Sequence, residues 1–417
     1  MPARLHTLRR KGPSIVHALS AKLETPAPAP LDPMEVVREL AALPHRGATT
    51  TCGARAAELL EQRLRAMGAS VTRLPFATPR TYVPIMGWLV TGLIGGLLLG
   101  PLLPWLGLAL TASAALSGLL FLDWRWSPLM LLPPRGRADN LLAEQPAAPD
   151  EERPNTLLLM AHFDSAPISL LYLPSMVKGF RRSLFISMAI IVLAVAVSAA
   201  GALHLGPSWV ASLRWPLCGY FVALFVLASF DFFRRGYTNG AADNATGVGV
   251  ALATAAELWR CAPAGWSVKV LLTSAEEVSL VGSGAFVRAH GRSLDPARTH
   301  VVNFDGFGAG VVRVVRSTGS ITRATYAGPI VDAALETAAS NPRFAEISQL
   351  DWHVGDFDSI NFLRAGFPCL ALAAITKEGV IPHLHRPSDV LENVDPAVPA
   401  LGVEFAVATL KRFMAAG

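Results

Sequence analysis

Short apolar runs alternate with amphipathic stretches through much of this chain. Residues 34–67 show helical periodicity, with Ala56, Leu59, Leu60, Leu64 and Met67 on one face, and Gly68 supplies a stop. SVTRLPF, RADNLLAEQ and NTLLLMAHFD then read as strands, the last short, apolar and buried. An Ala-rich helix over 248–259 precedes the strand WSVKVLLTSAEE, and a helix over 281–290 precedes the strand THVVNFDGFG. Helix 330–340, the buried strand PCLALAAI and a closing helix over 398–414 complete the pattern. Strands alternating with helices predict an α/β sheet whose ligands gather beyond the carboxyl ends of the strands.

Longer apolar runs interrupt this pattern. From Val83 to Leu122 no side chain is ionisable, and Gly100, Pro101 and Pro104 break the run near its middle. Each half approaches the ~17–25 residues of a bilayer-spanning helix. A second charge-free run covers Ser183 to Leu203, and a third covers Leu217 to Phe230, reaching back to Trp209 if Arg214 sits at an interface. The competing reading is a pair of buried core helices. Length, glycine content and the flanking Trp105, Trp124, Trp126, Trp209 and Trp215 favour two transmembrane hairpins, four spans in all. Composition agrees: 52% of residues are hydrophobic and 16% charged, against about 25% charged in a typical soluble domain.

Two hairpins return the chain to the side it left. That side carries Arg80, Arg125, Arg135, Arg137, Lys178, Arg181, Arg182, Arg234 and Arg235 beside the spans, while the far turns carry Arg214. The basic excess predicts a catalytic portion on the cytoplasmic face of an integral, multi-pass membrane protein. The net charge of +5 then follows from topology, and no basic stripe interleaved with aromatics suggests nucleic acid. The early Arg4, Arg9, Arg10 and Lys11 are followed by no apolar run before Pro26, so a secretory signal is not expected. Cys52, Cys218, Cys261 and Cys369 are scattered and read as reduced. The expected organisation is a basic, Pro/Ala-rich arm (1–33), a first catalytic segment (34–82), hairpin one (83–122), a second segment (123–168), an insertion carrying hairpin two (169–236) and a third segment (237–417).

Chemistry concentrates in five stretches: AHFDS at 161–165, GAADNATG at 240–247, SAEEVSLVGS at 274–283, NFDG at 303–306 and HLHRPSD at 383–389. They offer His162, Asp164, Asp243, Glu276, Glu277, Asp305 and His385, an imidazole and carboxylate mix that suits zinc. Alone, an HxD is more often a packed histidine and an EE pair a solvated face. Their joint occurrence after apolar strands, beside Gly240, Gly247 and Gly282, is different, because unpaired buried carboxylates are costly.

These motifs, together with HRGATTTCGARAAELLEQRLRAMGASVTRLPF and RADNLLAE, resemble metallopeptidase family 28, which contains aminopeptidase Y and bacterial co-catalytic zinc aminopeptidases. The resemblance spans about 280 residues outside the hairpins and the arm. It implies a three-layer α/β/α zinc-exopeptidase fold with a mixed central sheet, interrupted here by the two hairpins. It also implies two Zn2+ per chain and peptide substrates. His162 and Asp305 would hold one zinc, Glu277 and His385 the other, and Asp243 would bridge them. Asp164 would orient His162, and Glu276 would be the general base. Which of the two adjacent glutamates ligates comes from the family's order and not from spacing. The family also places a cis peptide after the bridging aspartate, here Asp243–Asn244.

Departures matter equally. The 81 residues from His162 to Asp243 contain the second hairpin, which puts the site near a membrane. Arg386 stands where the family commonly has threonine, and His383 is a rival for His385. GDFDSINF at 355–362 resembles the segment before the family's last strand and makes Asp358 a substrate-binding candidate. Asp351, His353 and Asp356 either line the pocket or belong to a solvated loop. The leading expectation is a membrane-anchored zinc aminopeptidase. The alternatives are a single-zinc glutaminyl-peptide cyclotransferase and a catalytically inactive receptor or scaffold on the same fold.

Overall fold

Apolar strands that lack any polar alternation lie in the middle of one sheet, where both faces are covered. The computed structural model describes residues 31–145, 154–205 and 208–416. The arm expected over 1–33 therefore lies outside them except for residues 31–33. Helix α1 (Pro33–Ala41) is capped by the Asp32 side chain, which accepts from the Met34 amide. Helix α2 (Thr51–Ala66) is capped by Thr50. The single helical stretch expected over 34–67 is thus two helices. Pro44, which cannot donate to a helix, and a loop through Arg46 and Gly47 separate them.

Strand β1 (Ser70–Pro79) leads into apolar helices α3 (Val83–Leu99) and α4 (Pro104–Leu122), followed by β2 (Arg135–Glu144) and β3 (Asn155–His162). Apolar helices α5 (Phe180–Ala202) and α6 (Arg214–Arg235) come next, and then α7 (Thr246–Cys261), β4 (Trp266–Thr273), α8 (Val281–His290) and β5 (Thr299–Asp305). The chain closes with β6 (Val311–Thr318), β7 (Ala324–Thr325), α9 (Pro329–Ser340), β8 (Ser348–Asp351), α10 (Ser359–Arg364), β9 (Cys369–Ile375) and α11 (Ala397–Ala416).

The nine-stranded sheet runs β1-β2-β4-β3-β5-β9-β6-β7, with β8 on β6. Its centre, β4-β3-β5-β9, is parallel, and antiparallel strands flank it on both sides. The parallel strands are buried along nearly their whole length, as two covered faces require. The sequence reading did not single out β6, although VVRVVRST is rich in β-branched residues and offered a strand signal.

The four apolar helices pack together beside the sheet. Those of the second hairpin, α5 and α6, lie mainly against the first hairpin and touch each other only sparsely. Helix α4, helix α5 and the stretch Ser208–Arg235 are each long and apolar enough to cross a membrane. In their most apolar windows only 22–33% of residues are buried within the protein, so most of that apolar surface faces outward. Helix α3 has 17 residues and rises about 25 Å, short of a ~30 Å hydrocarbon layer, because Pro84 fixes its start and the Gly100-Pro101 break its end. Four expected spans thus become three of spanning length and one shorter helix. Arg364 fastens the bundle to the sheet by donating to the carbonyls of Trp124 (2.8 Å) and Asp123 (3.1 Å). The Asp123 carboxylate accepts from the Thr322 amide (2.8 Å) and hydroxyl (2.9 Å).

Candidate metal centre

Parallel strands bring their carboxyl ends to one edge, and most of the acidic and histidine residues picked from sequence lie at or just beyond it. His162 ends β3, Asp305 ends β5, and Glu276 and Glu277 occupy the loop after β4. Asp243 precedes α7, and His385 lies in the loop after β9. All are nearly buried; His385 is the most accessible, with 13% of its side chain exposed.

Asp243 stands between the two histidines. His162 Nε2 is 3.3 Å from Asp243 Oδ1, and His385 Nε2 is 3.3 Å from Asp243 Oδ2. On the first side, His162 Nε2 also approaches Asp305 Oδ2 at 3.6 Å and Glu276 Oε2 at 3.9 Å. On the second, His385 Nε2 is 3.0 Å from Glu277 Oε2. Two triads, His162–Asp243–Glu277 and His162–Glu276–Asp305, each present ligand atoms within 4.8 Å of one another. Asp243 Oδ2 and Glu277 Oε1 are buried without a hydrogen-bond partner among the described residues. Unpaired buried carboxylate oxygens facing imidazoles are what a bound cation would satisfy, so the donor set fits zinc. His383 turns away, its Nδ1 2.9 Å from Ser388 Oγ.

Supporting contacts explain how the loops hold this shape. Asp164 Oδ1 and Oδ2 accept from the amides of Glu276 (3.1 Å) and Glu277 (3.3 Å), while the Asp164 carbonyl lies 3.2 Å from His162 Nδ1. One aspartate therefore orients the imidazole and the glutamate loop together. Asn140 accepts from the Ser274 amide (3.0 Å) and donates to the Gly282 carbonyl (2.9 Å), closing the same loop. Within it, Ala275, Ser279 and Leu280 adopt positive φ, and so does His385 in its own loop. The Asp243–Asn244 peptide is cis. Asp389 accepts from the amides of Ala242 (2.6 Å) and Asp243 (3.3 Å).

Sequence reasoning overlooked Arg46. It is fully buried and donates from Nε to the Phe163 carbonyl (2.6 Å), from Nη1 to that of Asn239 (2.7 Å) and from Nη2 to that of Gly240 (2.6 Å). It ties the His162 loop to the Asp243 loop across nearly 200 residues of sequence. The invisible signal was its company: nothing around Arg46 in the sequence marks the carbonyls it would meet. Tyr172 was also missed; its ring centroid lies 4.1 Å from that of His385.

The electrostatics follow from burial and crowding. Burial opposes a charged His162, yet Glu276 and Asp305 outweigh it and raise its pKa well above the ordinary value. Burial and neighbouring carboxylates raise Glu276 strongly. Burial, with Asp243 adding and His385 opposing, pushes Glu277 up to about 8. Burial also acts to raise Asp243, but hydrogen bonds to His162 and His385 hold it far below the usual carboxylate range. His385 is raised to about 10 because Glu277 and Asp243 overcome its burial. Burial lowers Arg46 to about 10 against the pull of Asp389, Asp164 and Asp243.

A cavity of about 210 Å3 opens on this cluster and continues between the apolar helices. Asp356 lines it, whereas Asp358 sits behind it and accepts from the Thr273 hydroxyl. His353 pairs with Arg323 (2.9 Å) and Asp351 with Arg316, and neither lines the cavity.

Residues 223–406 match the family model Peptidase family M28. The matched stretch, which is under half of the chain, is similar to the M28 peptidases. That similarity supports a zinc metallopeptidase. The matched region includes Asp243, both glutamates, Asp305 and His385, while His162 and Asp164 precede it. No curated protein matches the chain in sequence. Among solved structures, the zinc aminopeptidase from Bacillus subtilis is similar with a TM-score of 0.54 at 14% identity, covering 91% of this chain and 93% of that one. Porphyromonas gingivalis glutaminyl cyclase gives 0.55 at 15%, covering 91% and 96%. The Legionella pneumophila LapA aminopeptidase gives 0.52 at 11%, covering 99% and 77%. At these identities the likeness establishes the shared fold: an M28-type mixed sheet spanning both sides of the apolar insertions.

Proposed function

We propose that this chain is a membrane-embedded, two-zinc exopeptidase, an aminopeptidase in type, with its site on the cytoplasmic side. The observation that carries the reading is Asp243, whose two oxygens each face a different histidine at 3.3 Å. One carboxylate placed between two half-sites suits a pair of ions better than a single one. His162 and Asp305 would hold one zinc and Glu277 and His385 the other, bridged by Asp243. Bound there, zinc would supply Lewis-acid polarisation of the scissile carbonyl and acidify a water.

The chain's own residues do the rest. Asp164 fixes the His162 ring and aims the two glutamates from one backbone turn. Glu276 lines the cavity beside His162 and is placed to take a proton from water and return it to the leaving amine. Glu276→Gln should lower kcat by about two to four orders of magnitude with zinc content unchanged. Asp243→Ala should lose both activity and bound zinc. Full peptidase activity in either purified variant, measured beside metal analysis, would sink the mechanism. The fold likeness extends equally to a glutaminyl cyclase, so pyroglutamate formation from an N-terminal Gln peptide with one zinc per chain is the competing outcome.

A further inference from the structure

The cavity that starts at the metal-type cluster runs into the helix bundle, and its chemistry changes along the way. Its ionisable cluster residues His162, Asp243, Glu276, Glu277, Asp305 and His385 lie at one end. Deeper, Met86, Leu89, Val90 and Leu93 of α3, Ile191 of α5 and Phe221 of α6 line it. From Tyr82 to Leu93 a helix advances about 16 Å, the length of roughly twelve methylenes at ~1.25 Å each, the zigzag advance of ~1.5 Å bonds.

A peptide strand is poorly suited to that depth. Helical walls already use their backbone donors and acceptors internally. Beside these helices Ser187 donates to the Ser183 carbonyl (2.9 Å) and pairs with Tyr220 (2.7 Å), and Tyr82 donates to the Ala228 carbonyl (3.0 Å). The lining atoms beyond the cluster that lack a partner among the described residues, Trp124 Nε1, Ser279 Oγ, Ser320 Oγ and Asp356 Oδ2, lie outside the α3, α5 and α6 walls. Each buried peptide unit would therefore arrive unpaired. A hydrocarbon chain asks for no partner. The sparse contact between α5 and α6, with half-buried Leu184 and Leu224 lining the gap, leaves that chain beside the surrounding lipid. On the other side of the site, a smaller depression shares Tyr172, Ile381 and Leu384 with the cavity and adds Lys178 and Arg386. It offers a seat for an anionic head group.

We infer that the substrate is a long-chain N-acyl amino acid, with the acyl tail between the apolar helices, the amide at the zinc-binding cluster and the carboxylate toward Lys178 and Arg386. This rests on the proposed two-zinc hydrolytic reading and replaces its aminopeptidase type, since the acyl group blocks the amine an aminopeptidase needs and the residue released is the one carrying the carboxylate. Water adds its oxygen to the acyl carbon as the C–N bond breaks. Its proton passes through Glu276 to the leaving nitrogen, giving a fatty acid and a free amino acid with no change of oxidation state.

The test uses the full-length, zinc-loaded protein in detergent micelles and a series of N-acyl glycines from acetyl to hexadecanoyl at equal mole fraction. Full burial of a methylene is worth about fourfold in binding, and a tail drawn from a micelle gains less, so kcat/KM should rise at least ~30-fold from acetyl to dodecanoyl and level off beyond. Leu93→Trp, at the deep end, should move the optimum to shorter chains, read as a fall in the dodecanoyl-to-hexanoyl ratio of kcat/KM within one preparation. Independence of chain length, or cleavage of unblocked peptides alone, overturns this inference and leaves the exopeptidase standing. Hydrolysis of no amide at all overturns both.

Discussion

Asp164, Asp243, Glu276, Glu277, Asp305 and Asp389 converge on two histidines and Arg46, and this crowding sets the behaviour of the site. In the metal-free protein burial and Asp243 push Glu277 up, while Glu277 and Asp243 raise His385, so the pair holds its protons more tightly than free side chains do. A cation must displace those protons, so zinc affinity should rise with pH and uptake at pH 7 should release protons. Calorimetry in buffers of differing ionisation enthalpy reads that release directly, and uptake without it would contradict the ligand assignment. Arg46 acts on the same residues at one remove. Arg46→Met strips three buried carbonyls of their donor and should cost about 3 kcal/mol or more in denaturant stability. Arg46→Lys, which keeps the charge, should recover only part, because one ammonium cannot match the fork of a guanidinium.

At the level of elements, the glutamate loop depends on how closely it meets α8. A Cβ on Gly282 would stand 2.0 Å from the Ser274 carbonyl oxygen and 2.8 Å from Asn140 Oδ1. Gly282→Ala must push the loop off Asn140, and the expected result is a loss of kcat of about tenfold or more, since small misplacements of catalytic groups are expensive. A wild-type rate in a folded Gly282→Ala protein would show that the loop tolerates the shift. This element also shows what the sequence could reveal. WSVKVLLT was legible as a strand because its apolar run has one reading in a covered parallel sheet, and the carboxylates at its end were therefore placed correctly. The loop of 42–50 was not legible, because helical periodicity continued on both sides of Pro44. Nor could periodicity foresee Asn140, whose value lies in partners over 130 positions away. His353 looked like a pocket residue by neighbourhood in sequence, yet Arg323 holds it elsewhere.

For the whole molecule, most of the apolar surface of α4, α5 and the 208–235 stretch faces outward, as on helices that meet lipid. The protein should stay with membranes through an alkaline carbonate wash and leave them only with detergent. Tags placed after residue 417 should be digested from the cytoplasmic side and protected from the opposite one. Recovery in the soluble fraction without detergent would return the hairpins to the status of buried core helices. The bundle does not hang from a linker: Asp123 and Arg364 clasp it to the rest of the fold, so the site keeps a fixed position relative to the apolar helices.

His162 and Asp243 face each other at 3.3 Å, yet the chain between them goes out through α5 and returns through α6. The first of these ligands is synthesised before the second hairpin and the other after it. On the proposed topology, the two halves of the site stay apart on the nascent chain until that hairpin has entered the bilayer and come back. Under that topology, completion of the proposed metal centre would be a checkpoint on biogenesis: a molecule able to hold ions there would already have been threaded through the membrane correctly.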